Sequence, residues 1–251
     1  MNAILLYGLS FVAALIGGFT FGVVGIGLPI VLVPALSILF DDARTAVIVA
    51  SIPSLFSAIL MTRRGGITRE DLRVFWPVFP LSIVGVLIGN EVLLSIDPAA
   101  LVIGVGVVLL LFVGLNLLPV RANLTQAAGR LTAPAVGLIA GMLQGAVSIS
   151  GPPLAMFYHG FGLPKQRFVG MMAISFVVLT GMQVLALAGS GLYTADILAL
   201  SIGSVLPTFI GMQIGVHVQD RVQQRTFNRA LLAVLFLIGL SLILRTAGII
   251  P

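Results

Sequence analysis

Charged residues interrupt this chain rarely, and the stretches between them are long and apolar. Charge-free runs cover Met1–Phe40, Thr45–Thr62, Val74–Asn90, Pro98–Val120, Leu131–Pro164, Phe168–Ala195, Ile197–Gln219 and Ala230–Leu244. Crossing a bilayer core of about 30 Å takes roughly 20 helical residues at about 1.5 Å each. Six of the runs suit one crossing helix apiece. The first and the fifth are too long for one, and Gly and Pro interrupt both. No basic residue precedes Ala3 and the first apolar run is long, so a cleaved leader is not expected.

Composition sharpens this picture. Hydrophobic residues make up 59% of the 251 positions and charged residues 8%, against about 25% charged in a soluble domain. The mean hydropathy is +1.19. These values exclude a water-soluble globule, a disordered chain and a nucleic-acid binder. The excess of 13 Lys+Arg over 8 Asp+Glu is scattered singly and forms no basic patch. With no cysteine, a disulfide frame, Cys-ligated metals and thiol chemistry are excluded.

The two interrupted runs are related. The first reads Gly18-x-x-x-Gly22-x-x-Gly25-Ile26-Gly27-x-Pro29, and the second Gly141-x-x-x-Gly145-x-x-Ser148-Ile149-Ser150-x-Pro152, 123 positions later throughout. That offset also carries Arg44 onto Arg167. Further on, Gly85-x-x-x-Gly89 meets Gly211-x-x-x-Gly215 at an offset of 126. Small-xxx-small spacing alone is common in membrane helices, but an ordered series at nearly constant offset marks two repeats, 1–122 and 123–251. The first would hold a hairpin at about 3–40 and spans at about 44–62, 74–94 and 99–118. The second would hold a hairpin at about 132–161 and spans at about 168–189, 195–217 and 229–247.

Charge sidedness suggests how the runs thread. If all eight crossed, the basic residues would divide almost evenly, against the positive-inside tendency. If the fifth dips and returns, 11 of 13 fall on one side: Arg63, Arg64, Arg69, Arg73, Arg121, Arg130, Lys165, Arg167, Arg221, Arg225 and Arg229. Arg44 and Arg245 stay on the other, with Asp41, Asp42, Glu91, Asp97 and Asp196. The repeat relation extends re-entrance to the first run, where one continuous helix over Ala3–Phe40 would be about 57 Å long. The expected fold is therefore an all-α polytopic membrane protein of two inverted repeats. Each repeat is a re-entrant broken-helix hairpin plus three transmembrane helices, with both termini outside.

Non-helical backbone at membrane depth persists only where it is buried in protein or lines a wet cavity. Proline after each break suits the first turn of a helix, so each break aims a helix N-terminus inward. Such a terminus, with its N–H groups and positive dipole end, favours an anion. No Asp, Glu, Lys or Arg falls inside a predicted span, and an anion held by dipoles and hydroxyls needs none. The candidate binding residues are Gly25, Gly27, Pro29, Gln144, Ser148, Ser150, Gly151, Pro152 and Thr20. Ser51, Ser54 and Gln183 are further polar neighbours, although intramembrane Ser commonly bonds its own helix. Arg44 and Arg167 read plainly as snorkelling anchors and more sharply as cations at the two mouths.

Other groups add little. His159 and His217 have no ligand partners at useful spacing, so no metal is expected. Trp76 reads as an interfacial residue, and Arg63–Arg73 as a solvated, basic loop. Catalytic signatures such as His-Glu-x-x-His are missing, which points away from an enzyme, and no cofactor is implied.

The segments GFTFGVVGIGLPIVLVPAL and GLIAGMLQGAVSISGPPLAMFY resemble the paired signature of the sulfite exporter TauE/SafE family, with Ser148 and Ser150 standing where glycine is common. The similarity covers essentially the whole chain. It implies a multi-pass bacterial inner-membrane transporter with its basic loops cytoplasmic, exporting sulfite or an organosulfonate. The expected partners are a small anion and the lipid bilayer; a homodimer and a coupling proton or sodium ion stay open. The competing reading is an aquaporin-like channel for a small anion or neutral solute, which shares six spans and two dipping half-helices. The Asn-Pro-Ala pair of aquaporins is missing from this chain.

Overall fold

A bilayer core offers no water to backbone N–H and C=O groups, so apolar segments satisfy them internally as helices. The computed structural model describes residues 3–25, 27–117, 125–219, 221 and 224–248, and these form helices and short connections with no strand. Ile26 of the first motif, Arg121 of the basic set and the 122/123 repeat boundary lie outside the described residues. The first half contains α1 (Ala3–Val24), α2 (Pro29–Phe40), α3 (Ala43–Thr62), α4 (Arg69–Phe75), α5 (Val78–Ser95) and α6 (Pro98–Leu117). The second contains α7 (Gln126–Val147), α8 (Gly151–His159), α9 (Lys165–Gly189), α10 (Ala195–Gly203), α11 (Val205–Val218) and α12 (Gln224–Thr246).

Among the described residues, eight helices are long and apolar enough to cross a membrane, counting α10 and α11 as one. Six spans were expected, and the two additions are α1 and α7, the first arms of the broken segments. At 22 residues, each is about 33 Å long. The return arms are short: α2 has 12 residues and α8 has nine. Each broken segment is thus a lopsided hairpin. Its arms do run back along each other. A Cβ on Gly17 of α1 would touch Leu28 and Leu32, and one on Gly129 near the start of α7 would overlap the ring of Phe161 just after α8.

Of the further boundaries that differ from the sequence reading, three have a local reason. α7 begins at Gln126, ahead of the expected 132, because Thr125 accepts a hydrogen bond from the Ala128 N–H at 3.3 Å and caps the helix. The span expected at 195–217 is split at Ser204, since the ring of Pro207 crowds the carbonyl four residues back. The solvated loop expected at Arg63–Arg73 contains the helix α4, opened by a capping box in which Thr68 and Asp71 bond each other's backbone N–H.

The helices divide their charges between the two ends of the bundle. At one end, a cavity of about 690 Å³ is lined by Asp41, Asp97 and Arg245. There too the Arg44 guanidinium donates to the carbonyls of Leu93, Leu94 and Ile96, capping the C-terminus of α5. α3 runs from this end to the other, where Arg64 and Lys165 line a second cavity.

Glycine sets the tightest contacts. α1 lies against α11, and α5 against α7. A Cβ on Gly211 would sit 2.0 Å from the Leu15 carbonyl oxygen, and one on Gly22 would sit 2.3 Å from that of Met212. In the other pair, a Cβ on Gly141 would sit 2.1 Å from the Ser82 carbonyl oxygen, and one on Gly89 would sit 2.2 Å from that of Met142. The motif ahead of each break therefore closes on the later Gly-x-x-x-Gly motif of the other half, not on its repeat equivalent. Helix pairs of this kind owe their closeness to missing side chains.

Candidate functional site

The two breaks meet. Gly27, Pro29 and Ile30 from the first, with Ser148, Ile149, Ser150 and Gly151 from the second, enclose a small cavity of about 10 Å³ together with Phe176. Phe176 stands halfway along α9 (Lys165–Gly189), so the tips come together near the middle of the bundle. Its ring is held edge-on by Phe21, with centroids 6.4 Å apart.

The two breaks use the same backbone turn. At the end of α1, Gly25 has φ +74° and its N–H donates to Phe21; at the end of α7, Ser148 has φ +58° and its N–H donates to Gln144. A left-handed residue is a common way to end a helix, and glycine takes that conformation freely. Serine does so against the clash of its Cβ with the following carbonyl. Its hydroxyl is therefore bound up in why the turn is built this way.

That hydroxyl belongs to a buried network. Ser148 Oγ lies 2.9 Å from Gln183 Nε2 and 3.1 Å from Gln183 Oε1. Gln183 Nε2 also donates to the Gln144 carbonyl at 2.8 Å. Gln144 Nε2 donates to Gln183 Oε1 at 2.8 Å and to Thr180 Oγ1 at 3.2 Å. Ser150 Oγ donates to Gln144 Oε1 at 2.6 Å. All five side chains are at most 2% exposed. Six hydrogen bonds among groups this deeply buried are strong and mutually reinforcing.

The helix N-termini offer fewer donors than the proline motif implies. In α2, Pro29 has no N–H, and those of Ile30 and Val31 reach the carbonyls of Gly27 and Leu28 at 3.3 Å. In α8, Pro152 and Pro153 have none, which leaves Gly151 as the one N–H among the first three residues. Both dipoles still end at the cavity. Hydrogen-bond capacity at the tips comes mainly from the Ser and Gln side chains.

The remaining sequence candidates lie elsewhere. Thr20 bonds back to the Ile16 carbonyl at 2.9 Å, and Ser54 to that of Ala50 at 2.5 Å. Ser51 bonds the Ile48 carbonyl and the hydroxyl of Tyr193. Arg44 caps α5, as described. Arg167 makes a two-pronged ion pair with Asp71, through Nε at 2.9 Å and through Nη2. Asp71 is 2% exposed. Burial pulls its carboxyl up, but the bonds from Arg167 and Thr68 outweigh this and hold it below the ordinary value. So the two matching arginines both have firm partners, of different kinds.

Sequence reasoning missed Thr180, Phe176 and Asp71. Thr180 lies three residues before Gln183 in an otherwise apolar helix, which is one turn and the same face. Thr68-x-x-Asp71 is a capping-box spacing that would have removed Asp71 from the solvated loop. Nothing local marks Phe176.

No curated protein and no solved structure matches the chain. A family model described as Sulfite exporter TauE/SafE matches residues 10–242. The match runs from within α1 to within α12 and takes in both breaks and the network between them. The chain belongs to the sulfite exporter TauE/SafE family.

Proposed function

We propose that this protein is a secondary transporter exporting a small oxyanion, sulfite or an organosulfonate, across the bacterial inner membrane. Membership of the family supports a membrane transporter and suggests a non-enzyme. The observation that carries the finer reading is the meeting of the two breaks at a buried, charge-free cavity halfway along α9, lined by Ser148 and Ser150, whose hydroxyls bond the Gln183 and Gln144 amides behind them. Broken helices that meet at the centre of a bundle are where several transporter folds bind substrate. Two positive dipole ends and the Ser148 and Ser150 hydroxyls complement an oxyanion and leave a cation without a carboxylate.

A cavity of about 10 Å³ holds roughly one water. Binding a sulfur oxyanion therefore requires the two tips to move apart, with hydroxyl and amide donors exchanging partners within the network for bonds to the anion. Such an opening fits a carrier, which alternates between states. The inverted relation of the halves supplies the second state, because each lopsided hairpin then opens toward its own end. By the positive-inside tendency, the end with Arg64 and Lys165 faces the cytoplasm.

Purified protein in proteoliposomes tests this with radiolabelled sulfite. Saturable flux with trans-stimulation is expected, and Ser150→Leu, which fills the cavity, should abolish it while the protein stays folded. Flux that survives Ser150→Leu places the site elsewhere. Turnover above about 10⁶ per second, faster than conformational gating allows, would make the protein a channel.

A further inference from the structure

The cavity at the basic end has a volume of about 460 Å³ and is lined by Arg64, Lys165, Gln166 and Gln219 together with the end of α1 up to Gly25. Among the described residues that line it are two cations and no carboxylate. One Arg64 N–H is engaged, donating to Gln213 Oε1 at 2.7 Å, and a guanidinium has four more. Pro164 starts α9 without a side-chain cap, so the first N–H groups of a 25-residue helix open beside the same cavity.

Val169 also lines the cavity and packs against the end of α1: a Cβ on Gly25 would lie 3.1 Å from Val169 Cγ2. Beyond that contact, the same face of α9 continues inward. Gln166, Val169, Phe176, Thr180 and Gln183 are spaced by three, seven, four and three residues, which is one helical stripe. Its outer residues line the basic cavity, Phe176 lines the cavity between the breaks, and Thr180 and Gln183 complete the buried network.

We infer that the basic-end cavity is a loading vestibule that captures the oxyanion on Arg64 and Lys165, and that it feeds the break site along this stripe of α9 past a constriction formed by Val169 and Gly25. The inference rests on the break-site reading above and adds to it a second, weaker anion site, a route and a gate. The vestibule concentrates the anion by charge, and the break site selects it by hydrogen bonds. Val169 separates the two with an apolar side chain that has no bond to offer, so the anion passes when α1 and α9 part.

The test measures sulfite transport by proteoliposomes over a range of concentration and ionic strength. The double variant Arg64→Gln/Lys165→Gln should raise KM at least about tenfold, since both charge-assisted contacts are lost, with kcat within about twofold. Arg64→Lys/Lys165→Arg should restore the native KM. Added salt should raise the native KM more than that of the double variant, because it screens the charges the variant lacks. Val169→Trp should lower kcat at least about tenfold with an unchanged melting temperature. An unchanged KM and salt dependence in the double variant would overturn the vestibule, and native kcat in Val169→Trp would overturn the gate; in both cases the break-site reading stands. If the native protein moves neither sulfite nor a short organosulfonate in this assay, that reading falls and takes this inference with it.

Discussion

Ser148 shows how a single residue can serve two masters. Its backbone turn, matched by Gly25 in the first half, prefers glycine; its hydroxyl is bonded to both ends of the Gln183 amide. Ser148→Gly removes strain of about 1–2 kcal/mol and loses the hydroxyl, whereas Ser148→Ala keeps the strain and loses the same bonds. Alanine is therefore expected to be the less stable variant by about 1 kcal/mol, the reverse of their order within a helix. Thermal unfolding in detergent measures this, and equal stability would mean the turn carries no strain. Both variants should transport poorly. Asp71 is a second case, held in place by Thr68 and Arg167. Its carboxyl ionises below the ordinary 3.8, so the folded state gains stability from the pair above that value. The gain is lost as pH falls through 3.8 and then through the lower native value. Asp71→Asn should lower the melting temperature at pH 7, and the difference should shrink as the pH falls below 3.8.

At the scale of elements, glycine decides which helices touch. The Gly85-x-x-x-Gly89 and Gly211-x-x-x-Gly215 pairs are visible in sequence, and their partners are not. In the structure, α5 takes α7 and α11 takes α1, with backbone carbonyls where side chains would otherwise stand. A methyl group added at Gly141 or Gly211 must push two backbones apart, at about 1–3 kcal/mol each. A methyl group at Gly104 meets nothing within 4 Å, so Gly104→Ala should be neutral or slightly stabilising. A lowered melting temperature for Gly141→Ala and Gly211→Ala, but not for Gly104→Ala, is the expected result. Equal effects at all three positions would remove the contact argument. The same helix pairs carry the breaks, because α1 and α7 are also the long arms of the hairpins. Loosening either contact should therefore reduce transport as well as stability.

For the whole molecule, the distribution of charge matters more than its amount. Arg64, Lys165 and Arg167 gather at one end, while Asp41, Asp97, Arg44 and Arg245 gather at the other. This is the division expected from the sequence, and it makes orientation testable. A protease site inserted at Gly66, in the connection before α4, should be protected in intact bacterial cells. One inserted at Gly191, after α9, should be cut by external protease. The reverse pattern would turn the vestibule to the outside and make the protein an importer.

The sequence alone determined the membrane class, the two breaks, their kinship and the charge asymmetry, because each depends on spacing along the chain or on the cost of placing charge in lipid. It also announced Ser148, Ser150 and Gln144 as polar groups where few others occur. Only the tertiary structure decided that the two breaks share one cavity, which helices the glycines bring together and that Arg44 and Arg167 have unlike partners. It also chose α9 as the helix linking both cavities to the network. Those facts depend on which backbones approach one another, and a one-dimensional pattern of apolar residues is the same on every face that lipid or protein can cover.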